Sequence, residues 1–300
     1  MDKSFLFFTP KPPRYLIDMT TTATASGTFK IGGDLEVTRL GYGAMRITGD
    51  GIWGPPDDPE QARAVLRRLL DLGVNLIDTA DSYGPEVSEN LIAEALHPYP
   101  DGLVVATKGG LTRPGPGRWE PDCRPERLKA CCDASMRRLR VDRIDLYQLH
   151  TPDPKVPFAE SVGALAELRD EGKVRHVGLS NVGRRHLDEA QSIVPIVSVQ
   201  NRYSVSARDS EPVLEACAEQ GLGFIPWFPL DAGSPKSDAL REIAEAHGAT
   251  PHQVAVAWLL QHSPVTLPIP GTSKIDHLEE NVAAASLRLT DDEMARLEEI

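Results

Sequence analysis

The feature that most constrains the fold is a regular alternation of short apolar runs with helix-like segments. The apolar runs cover residues 40–45, 74–77, 103–106, 144–149, 174–179, 196–199, 223–227 and 265–269. The helix-like segments that follow them cover residues 59–72, 86–96, 125–139, 158–171, 183–192, 209–220, 251–261 and 274–285. Strands and helices that alternate in this way predict a parallel sheet, because neighbouring parallel strands need a crossover connection.

The number of these units favours a closed barrel. Eight strand–helix units match the (β/α)8 barrel of the TIM type, which takes about 250 residues. A doubly wound open sheet is the alternative, but its dinucleotide fingerprint needs three glycines after the first strand, and residues 41–46 contain only two. We therefore predict an α/β fold with a (β/α)8 TIM barrel.

The chain before the first unit is predicted to contain a flexible leader and a hairpin. Residues 1–27 combine early prolines with a Thr, Ala and Ser run that has no period, a pattern typical of flexible segments. Residues 28–37 predict a β-hairpin with its turn at residues 32–34. The predicted organisation is a leader over residues 1–27 and one barrel domain over residues 28–300.

Charge and composition exclude several classes of partner. The 300 residues include 44 acidic and 32 basic ones, which gives a formal charge of −12. Nucleic acids and anionic membranes are held mainly by lysine and arginine, so we expect neither as a partner. No apolar stretch approaches the ~20 residues that cross a bilayer, and we expect a cytoplasmic protein that is monomeric or weakly homo-oligomeric. The four cysteines and eight histidines lack metal-ligand spacing, so no metal site is predicted.

Polar residues at the ends of the predicted strands indicate proton-transfer chemistry, because function in such barrels collects at the carboxyl ends of the strands. Asp78, Lys108 and His150 end three consecutive strands, and Tyr83 follows Asp78 closely. A tyrosine needs a nearby cation to lower its pKa before it protonates an alkoxide well, and Lys108 is the candidate. Asp78 would keep Lys108 charged, and His150 would polarise a carbonyl oxygen. This set predicts reduction of a C=O group with hydride from a cofactor.

Four segments of the chain resemble the aldo-keto reductase superfamily, and the resemblance extends from residue 28 to the end. They cover residues 73–84, 143–150, 172–181 and 269–274. The resemblance implies that Tyr83 is the catalytic acid, that Lys108 and Asp78 tune it, and that His150 orients the carbonyl. It also implies NADP(H) as cofactor and a small-molecule aldehyde or ketone as substrate.

The sequences of these motifs are similar to those of bacterial oxidoreductases that include pyridoxal reductases. An aromatic aldehyde such as pyridoxal is therefore one candidate substrate, and a ketone or a sugar intermediate is another.

The resemblance implies a cofactor-binding set as well. Ser180, Asn181 and Gln200 correspond to residues that hydrogen-bond the nicotinamide carboxamide. Trp227 corresponds to a ring, more often tyrosine, that stacks on the nicotinamide, and Phe228 stands where a serine often contacts the pyrophosphate. The other positions of this set are Gly43, Ala44, Met45, Leu230, Gly271, Thr272, Ser273, Lys274, His277, Glu280 and Asn281.

NADP is preferred over NAD in this interpretation. Ser273 and Lys274 lie where they can meet a ribose 2′-phosphate, and the start of the last barrel helix offers backbone N–H groups to an anion. His277 stands where many relatives have an arginine and contributes less charge at pH 7. Glu280 and Asn281 correspond to adenine-binding positions.

Two tryptophans in loops are candidate substrate-binding residues, and two other functions are open alternatives. Trp53 and Trp119 follow the first and third strands and are predicted to line a substrate mouth, with surface packing of long loops as the alternative. The protein is alternatively a non-catalytic or regulatory nicotinamide-binding subunit. A third possibility is a lyase that forms a Schiff base on Lys108.

Overall fold

The computed structural model describes residues 22–228 and 237–300 of the chain. Its strands are β1 (Thr28–Ile31), β2 (Leu35–Thr38), β3 (Tyr42–Gly43), β4 (Leu76–Asp78), β5 (Val104–Gly109), β6 (Leu111–Gly115), β7 (Arg118–Pro121), β8 (Ile144–Leu149), β9 (Val174–Ser180), β10 (Ile196–Arg202) and β11 (Gly223–Trp227). Its helices are α1 (Pro59–Asp71), α2 (Val87–Leu96), α3 (Pro125–Leu139), α4 (Phe158–Asp170), α5 (Arg184–Gln191), α6 (Glu211–Gln220), α7 (Asp238–Ala246), α8 (Pro251–His262), α9 (Ile275–Ala283) and α10 (Asp291–Glu298).

A curled parallel sheet forms the centre of the molecule. Seven strands pair side by side in the order β11, β10, β9, β8, β5, β4 and β3. Every neighbouring pair in this sheet is parallel, with the helices as crossover connections. The (β/α)8 barrel predicted from the alternation is therefore confirmed.

The eighth strand position of the barrel is filled by an extended segment instead of a regular strand. The Phe224 N–H donates to the Val265 carbonyl at 2.9 Å, and the Leu267 N–H donates back to the Phe224 carbonyl at 2.8 Å. On the other side, the Gly41 N–H donates to the Pro268 carbonyl at 3.0 Å. Pro268 itself has no N–H for the ladder, which explains why the predicted strand over residues 265–269 does not form a continuous one. These three hydrogen bonds close the barrel.

Two further differences from the sequence prediction lie after β5 and before α8. The loop after β5, predicted as irregular, contains the antiparallel hairpin of β6 and β7. Helix α7 was not predicted, because the alternation assigns the helix at residues 251–261 to the apolar run at residues 223–227. The eight predicted barrel helices are all present, with ends that move by one or two residues in most cases.

The β1–β2 hairpin is confirmed and seals one end of the barrel. Ile31 and Val37 are fully buried and pack in one cluster with Leu76, Leu146 and Ile225 from the central strands. Helices cover the outside, and none of the described ones is long and apolar enough to cross a bilayer. The four cysteines are buried free thiols.

The folded domain begins earlier than the predicted boundary after residue 27. Residues Ala23–Ser26 form a 3₁₀ helix in which Ala23 is fully buried. The Ala23 N–H donates to the Leu72 carbonyl at 2.8 Å, and the Ser26 hydroxyl accepts from the Leu40 N–H at 3.0 Å. These contacts are tertiary and leave no periodic pattern in a run of small residues, so the predicted flexible leader of residues 1–27 is corrected at its end. Residues 1–21 lie outside the described part.

Two glycines in the turn between β1 and β2 allow a test of how this hairpin packs against the barrel. Gly32 has φ +63°, and a Cβ there would lie 2.4 Å from Cε1 of the His176 ring. Gly33 has φ +85°, but a Cβ there would meet nothing within 4 Å. We expect Gly33→Ala to lower the free energy of unfolding by about 1 kcal/mol, the cost of a left-handed backbone. Gly32→Ala should cost at least about 1 kcal/mol more, because the ring must move.

Urea denaturation measures both variants. Equal losses in Gly32→Ala and Gly33→Ala would contradict the packing of His176 against the turn.

Candidate active site

The structure brings together the four side chains predicted to transfer protons. Asp78 ends β4, Lys108 lies near the end of β5, His150 follows β8, and Tyr83 lies in the loop after β4. The Lys108 Nζ atom lies 2.6 Å from Asp78 Oδ2 and 3.4 Å from the Tyr83 hydroxyl. The Tyr83 and His150 rings meet edge to face with centroids 5.8 Å apart. All four side chains are buried.

Lys108 and Asp78 form an ion pair whose hydrogen-bonding capacity is largely used. Lys108 also donates to the Thr79 carbonyl at 2.9 Å, while Gln148 and Gln200 donate to Asp78 Oδ1 at 3.1 and 2.8 Å. Burial has the largest single effect and lowers the pKa of Lys108, but Asp78 and Tyr83 together outweigh it, and the net pKa is raised. Lys108 therefore stays an ammonium ion inside the barrel.

The pKa of Tyr83 moves in the direction opposite to the one expected from the sequence. Burial raises it, Lys108 lowers it only in part, and the net pKa lies above its usual value of 10. The reason is that a phenolate loses its hydration in this site, and one cation compensates for only some of that loss. The phenol is thus protonated at neutral pH and is able to donate.

His150 is neutral at the same pH. Burial and the charge of Lys108 hold its pKa well below 6.5. Its Nδ1 atom lies 3.3 Å from the Ser82 hydroxyl. When that hydroxyl donates to Nδ1, the ring proton lies on Nε2, which leaves one N–H donor for a ligand.

A cavity of about 460 Å³ opens beside these residues. The predicted residues in its wall are Gly43, Met45, Asp78, Tyr83, Trp119, His150, Ser180, Asn181, Gln200, Trp227, Phe228 and Gly271. Five residues that the sequence patterns did not indicate also line it: Arg46, Leu111, His252, Ile269 and Pro270. Gln148 was not predicted either, although it lies two positions before His150 and so shares its face of the strand.

Trp227 is held as a flat wall of this cavity. Its indole N–H donates to the side-chain oxygen of Asn181 at 3.0 Å. The Asn181 amide in turn donates to the His150 carbonyl at 2.9 Å and to the Ser180 hydroxyl at 3.1 Å. Asn181 has φ +59°, a left-handed conformation that asparagine tolerates. The Asn181 amide and the Ser180 hydroxyl therefore lie beside the flat indole of Trp227, an arrangement that suits a planar ring bearing a carboxamide.

Two glycines let the backbone itself form part of the cavity wall. A Cβ on Gly43 would lie 2.7 Å from the Ile269 carbonyl oxygen, and one on Gly271 would lie 2.4 Å from the Gly43 carbonyl oxygen. Both approaches are too close for any side chain. The two sides of this seam therefore pack backbone against backbone, and both glycines line the cavity.

A second cavity of about 660 Å³ adjoins the first, and Met45, Arg46 and Gly271 line both. Thr272, Ser273 and Lys274, predicted to meet the cofactor phosphates, lie in its wall. Lys274 directly precedes α9, where backbone N–H groups and the helix dipole favour an anion.

Several predicted residues are not among the described residues that line these two cavities. Lys108 is one of them, because it is fully buried beneath the first cavity. Glu280 is another, and its carboxylate accepts a hydrogen bond from the Thr250 hydroxyl at 2.7 Å. Trp53 contacts Arg113 instead. The others are Ala44, His277 and Asn281. Leu230 lies outside the described residues.

Asp81 is a further buried acid to which the sequence analysis assigned no role. It is 7% exposed, and its Oδ1 atom has no hydrogen-bond partner among the described residues. Burial and the charge of Glu89 raise its pKa from 3.8 to about 7. It lies two residues before Tyr83 and lines a third cavity, of about 330 Å³. Asp81 thus titrates near neutral pH beside the tyrosine loop.

Comparison with known sequences identifies relatives over nearly the whole chain. Residues 39–300 match the Aldo/keto reductase family. An uncharacterized oxidoreductase of Schizosaccharomyces pombe is 51% identical over 279 residues, which cover 92% of this chain and 90% of the relative. Pyridoxine 4-dehydrogenase of Escherichia coli is 43% identical over 283 residues, which cover 92% of this chain and 99% of that enzyme.

Solved structures agree with these matches. A thermostable aldo-keto reductase in complex with the inhibitor epalrestat superposes with a TM-score of 0.81 and 32% identity, covering 91% of this chain and 98% of its own. An aldo-keto reductase from Klebsiella pneumoniae in complex with NADPH gives a TM-score of 0.77 and 25% identity, covering 94% of this chain and 95% of its own.

Replacement of Asp81 tests the buried acid. Because its folded pKa is raised, Asp81 holds a proton in the folded state between pH 3.8 and about 7 that the unfolded chain releases. Its contribution to stability is complete at low pH and is lost as pH rises through this window, by about 1.4 kcal/mol per pKa unit. In Asp81→Asn this loss is absent, so the stability of the variant relative to the parent should rise from pH 4 to pH 7 and then level off.

Urea denaturation at several pH values measures this difference. Asp142→Asn, which changes an exposed acid, serves as the control and should run parallel to the parent. A parallel profile for Asp81→Asn would show that Asp81 ionises normally.

Proposed function

The chain belongs to the aldo/keto reductase family and is an NADP(H)-dependent oxidoreductase, and from this premise we propose that it reduces an aldehyde or ketone with Tyr83 as the general acid. The observation that carries the proposal is the position of Lys108 Nζ, between Asp78 Oδ2 and the Tyr83 hydroxyl at the foot of the main cavity. A protonated phenol that is backed by a buried cation is suited to give a proton to a nascent alkoxide.

The residues of the main cavity fit an NADP(H) cofactor. The indole of Trp227 would stack on the nicotinamide, and Ser180, Asn181 and Gln200 would hydrogen-bond its carboxamide. The ribose and phosphates would run past Gly43 and Gly271, which line the main cavity, toward Ser273 and Lys274, which line the second one. When bound, the cofactor supplies the hydride, which no side chain can carry.

The protein side of the reaction follows from the pKa directions. His150, neutral and with Nε2–H free, would donate a hydrogen bond to the substrate oxygen and fix the carbonyl in place. As the carbonyl carbon accepts hydride, Tyr83 would give its proton to that oxygen. The phenolate left behind would be stabilised by the ammonium of Lys108, which Asp78 keeps charged. The proton returns to Tyr83 from solvent before the next turnover.

The walls of the cavity favour a planar aromatic aldehyde as substrate. Trp119, Phe228 and Leu111 offer large apolar surfaces beside the polar group of Tyr83 and His150. The 43% identity to pyridoxine 4-dehydrogenase points the same way, because pyridoxal is the aldehyde of that vitamin series. A pyridoxal-type aldehyde is therefore the first candidate, ahead of a ketone or a sugar intermediate.

The environment of Lys108 argues against a Schiff-base lyase. Its side chain is fully buried and donates to three oxygen atoms. An amine must be neutral and accessible to attack a carbonyl, and this one is neither. The complete set of four proton-transfer residues likewise argues for turnover and against a purely regulatory subunit.

The first experiment compares Tyr83→Phe with the parent. Turnover of pyridoxal, followed by loss of NADPH absorbance, should fall at least about 100-fold, because the proton donor is gone. Binding of NADPH, measured by tryptophan fluorescence, should survive. Tyr99→Phe is the matched control, since this phenol bonds the Leu139 carbonyl away from the cavity. Full activity in Tyr83→Phe would overturn the proposed role.

A second experiment tests the NADP preference. Lys274→Ala should weaken NADPH binding about tenfold, the size expected for loss of one charge-assisted hydrogen bond to a phosphate. Binding of NADH should not change, because NADH lacks the 2′-phosphate. Lys30→Ala, at the opposite end of the barrel, should alter neither affinity. A parallel loss for both cofactors would place Lys274 elsewhere than at the 2′-phosphate.

A further inference from the structure

Arg113 of β6 is a buried cation that the proposed mechanism does not use. Its side chain is 8% exposed. Burial lowers its pKa, and none of the described carboxylates forms an ion pair with it. This is unusual in a chain with 44 acidic residues, because a buried guanidinium is commonly paired with a carboxylate. The guanidinium is satisfied in another way.

Backbone carbonyls take up the hydrogen bonds of Arg113. Its Nη1 atom donates to the carbonyls of Ile52 at 2.8 Å and Ser82 at 3.1 Å. Its Nη2 atom donates to the Gly51 carbonyl at 3.1 Å, and its Nε atom to the Arg118 carbonyl at 3.0 Å. These carbonyls belong to the loop after β3, to the loop that carries Tyr83, and to the β6–β7 hairpin. One side chain thus joins three loops above the barrel.

The flat face of the guanidinium also packs on tryptophan. The Arg113 Cζ atom lies 3.6 Å from the ring centroid of Trp119 and 5.7 Å from that of Trp53. Cation–π attraction of this kind strengthens when the pair is removed from water. The two tryptophans predicted from the sequence to line a substrate mouth are therefore linked through Arg113.

Trp119 in turn contacts Tyr83 and His150 of the candidate active site. Its ring meets Tyr83 with centroids 6.4 Å apart and an interplanar angle of 80°. It meets His150 at 6.5 Å and 69°. Arg113 lies against Trp119, and Trp119 lies against both residues that would contact the carbonyl oxygen. Any shift of the guanidinium would move the wall next to the substrate.

Resting on the function proposed above, we propose that Arg113 is a positioning residue that holds Trp119 against Tyr83 and His150 and thereby selects planar aromatic aldehydes. The planar fork of arginine is needed for this role, because a lysine ammonium neither reaches carbonyls on three loops nor stacks flat on an indole. The hydrogen bonds to the carbonyls lie near the plane of the guanidinium and leave its flat face free for the indole.

Kinetics of Arg113→Met and Arg113→Lys test this role. For pyridoxal, kcat/KM of Arg113→Met should fall about tenfold or more, mainly through KM, because the aromatic wall is no longer fixed. For propanal, which gains little from an aromatic wall, the change should stay within about threefold. Arg113→Lys should recover only part of the loss. Arg118→Ala is the matched control, because this exposed side chain of the same hairpin pairs with Glu120 and its carbonyl stays in place.

A second measurement does not depend on turnover. Four tryptophans are present, so 5-fluorotryptophan labelling should give four ¹⁹F resonances, with that of Trp119 assigned from Trp119→Phe. In Arg113→Met the Trp119 and Trp53 resonances should shift or broaden. The resonance of Trp258, buried in the helical core, should stay in place and report an intact fold.

The outcomes separate the two proposals. If the parent reduces no aldehyde with NADPH, the proposed function fails, and the Trp119 resonance still decides whether Arg113 positions that ring. If the parent is active, unchanged pyridoxal kinetics or an unmoved Trp119 resonance in Arg113→Met overturns the inference. Equal losses for pyridoxal and propanal, or a shifted Trp258 resonance, would assign Arg113 a general structural role and also overturn it.

Discussion

The candidate active site depends on one buried charge, the ammonium of Lys108. Inside a barrel such a charge persists only with a close counter-ion and full hydrogen bonding. Asp78 supplies the counter-ion at 2.6 Å, and Gln148 and Gln200 hold that carboxylate in turn. The same ammonium partly offsets the burial of Tyr83 and adds to the lowering of the His150 pKa. Burial keeps Tyr83 protonated in spite of the ammonium, whereas burial and the ammonium together keep His150 neutral.

The closed barrel makes this arrangement possible. Parallel strands deliver Asp78, Lys108 and His150 to one end from three separate parts of the chain. The closing seam, where Gly43 and Gly271 permit no side chain, leaves backbone along the same end. The polar centre, the Trp227 indole and the glycines of the seam therefore lie side by side, an arrangement that fits the cofactor and substrate of the proposed function.

Much of this was predictable from local sequence patterns. Apolar runs that alternate with amphipathic segments reveal strand and helix positions because their periods differ, and polar residues that end those runs mark the functional rim. The patterns did not reveal the 3₁₀ helix of Ala23–Ser26 or the hairpin of β6 and β7, which have no periodic apolar face. The four residues predicted to transfer protons do lie together. Arg113 was not predicted, because its partners are carbonyls on other loops and carbonyls leave no mark in a sequence.

The sequence by itself determined the α/β barrel, the hairpin before it, and the identity of the residues at the strand ends. These properties follow from hydrophobic periodicity and from residue chemistry, which are local. Only the tertiary structure decided the pKa directions, since the pKa of Tyr83 is raised by burial in spite of Lys108. It also decided that Trp53 and Trp119 both pack on Arg113 and that Trp119 lines the cavity. Burial and contacts between loops are set by the whole fold, and no short segment of the chain encodes them.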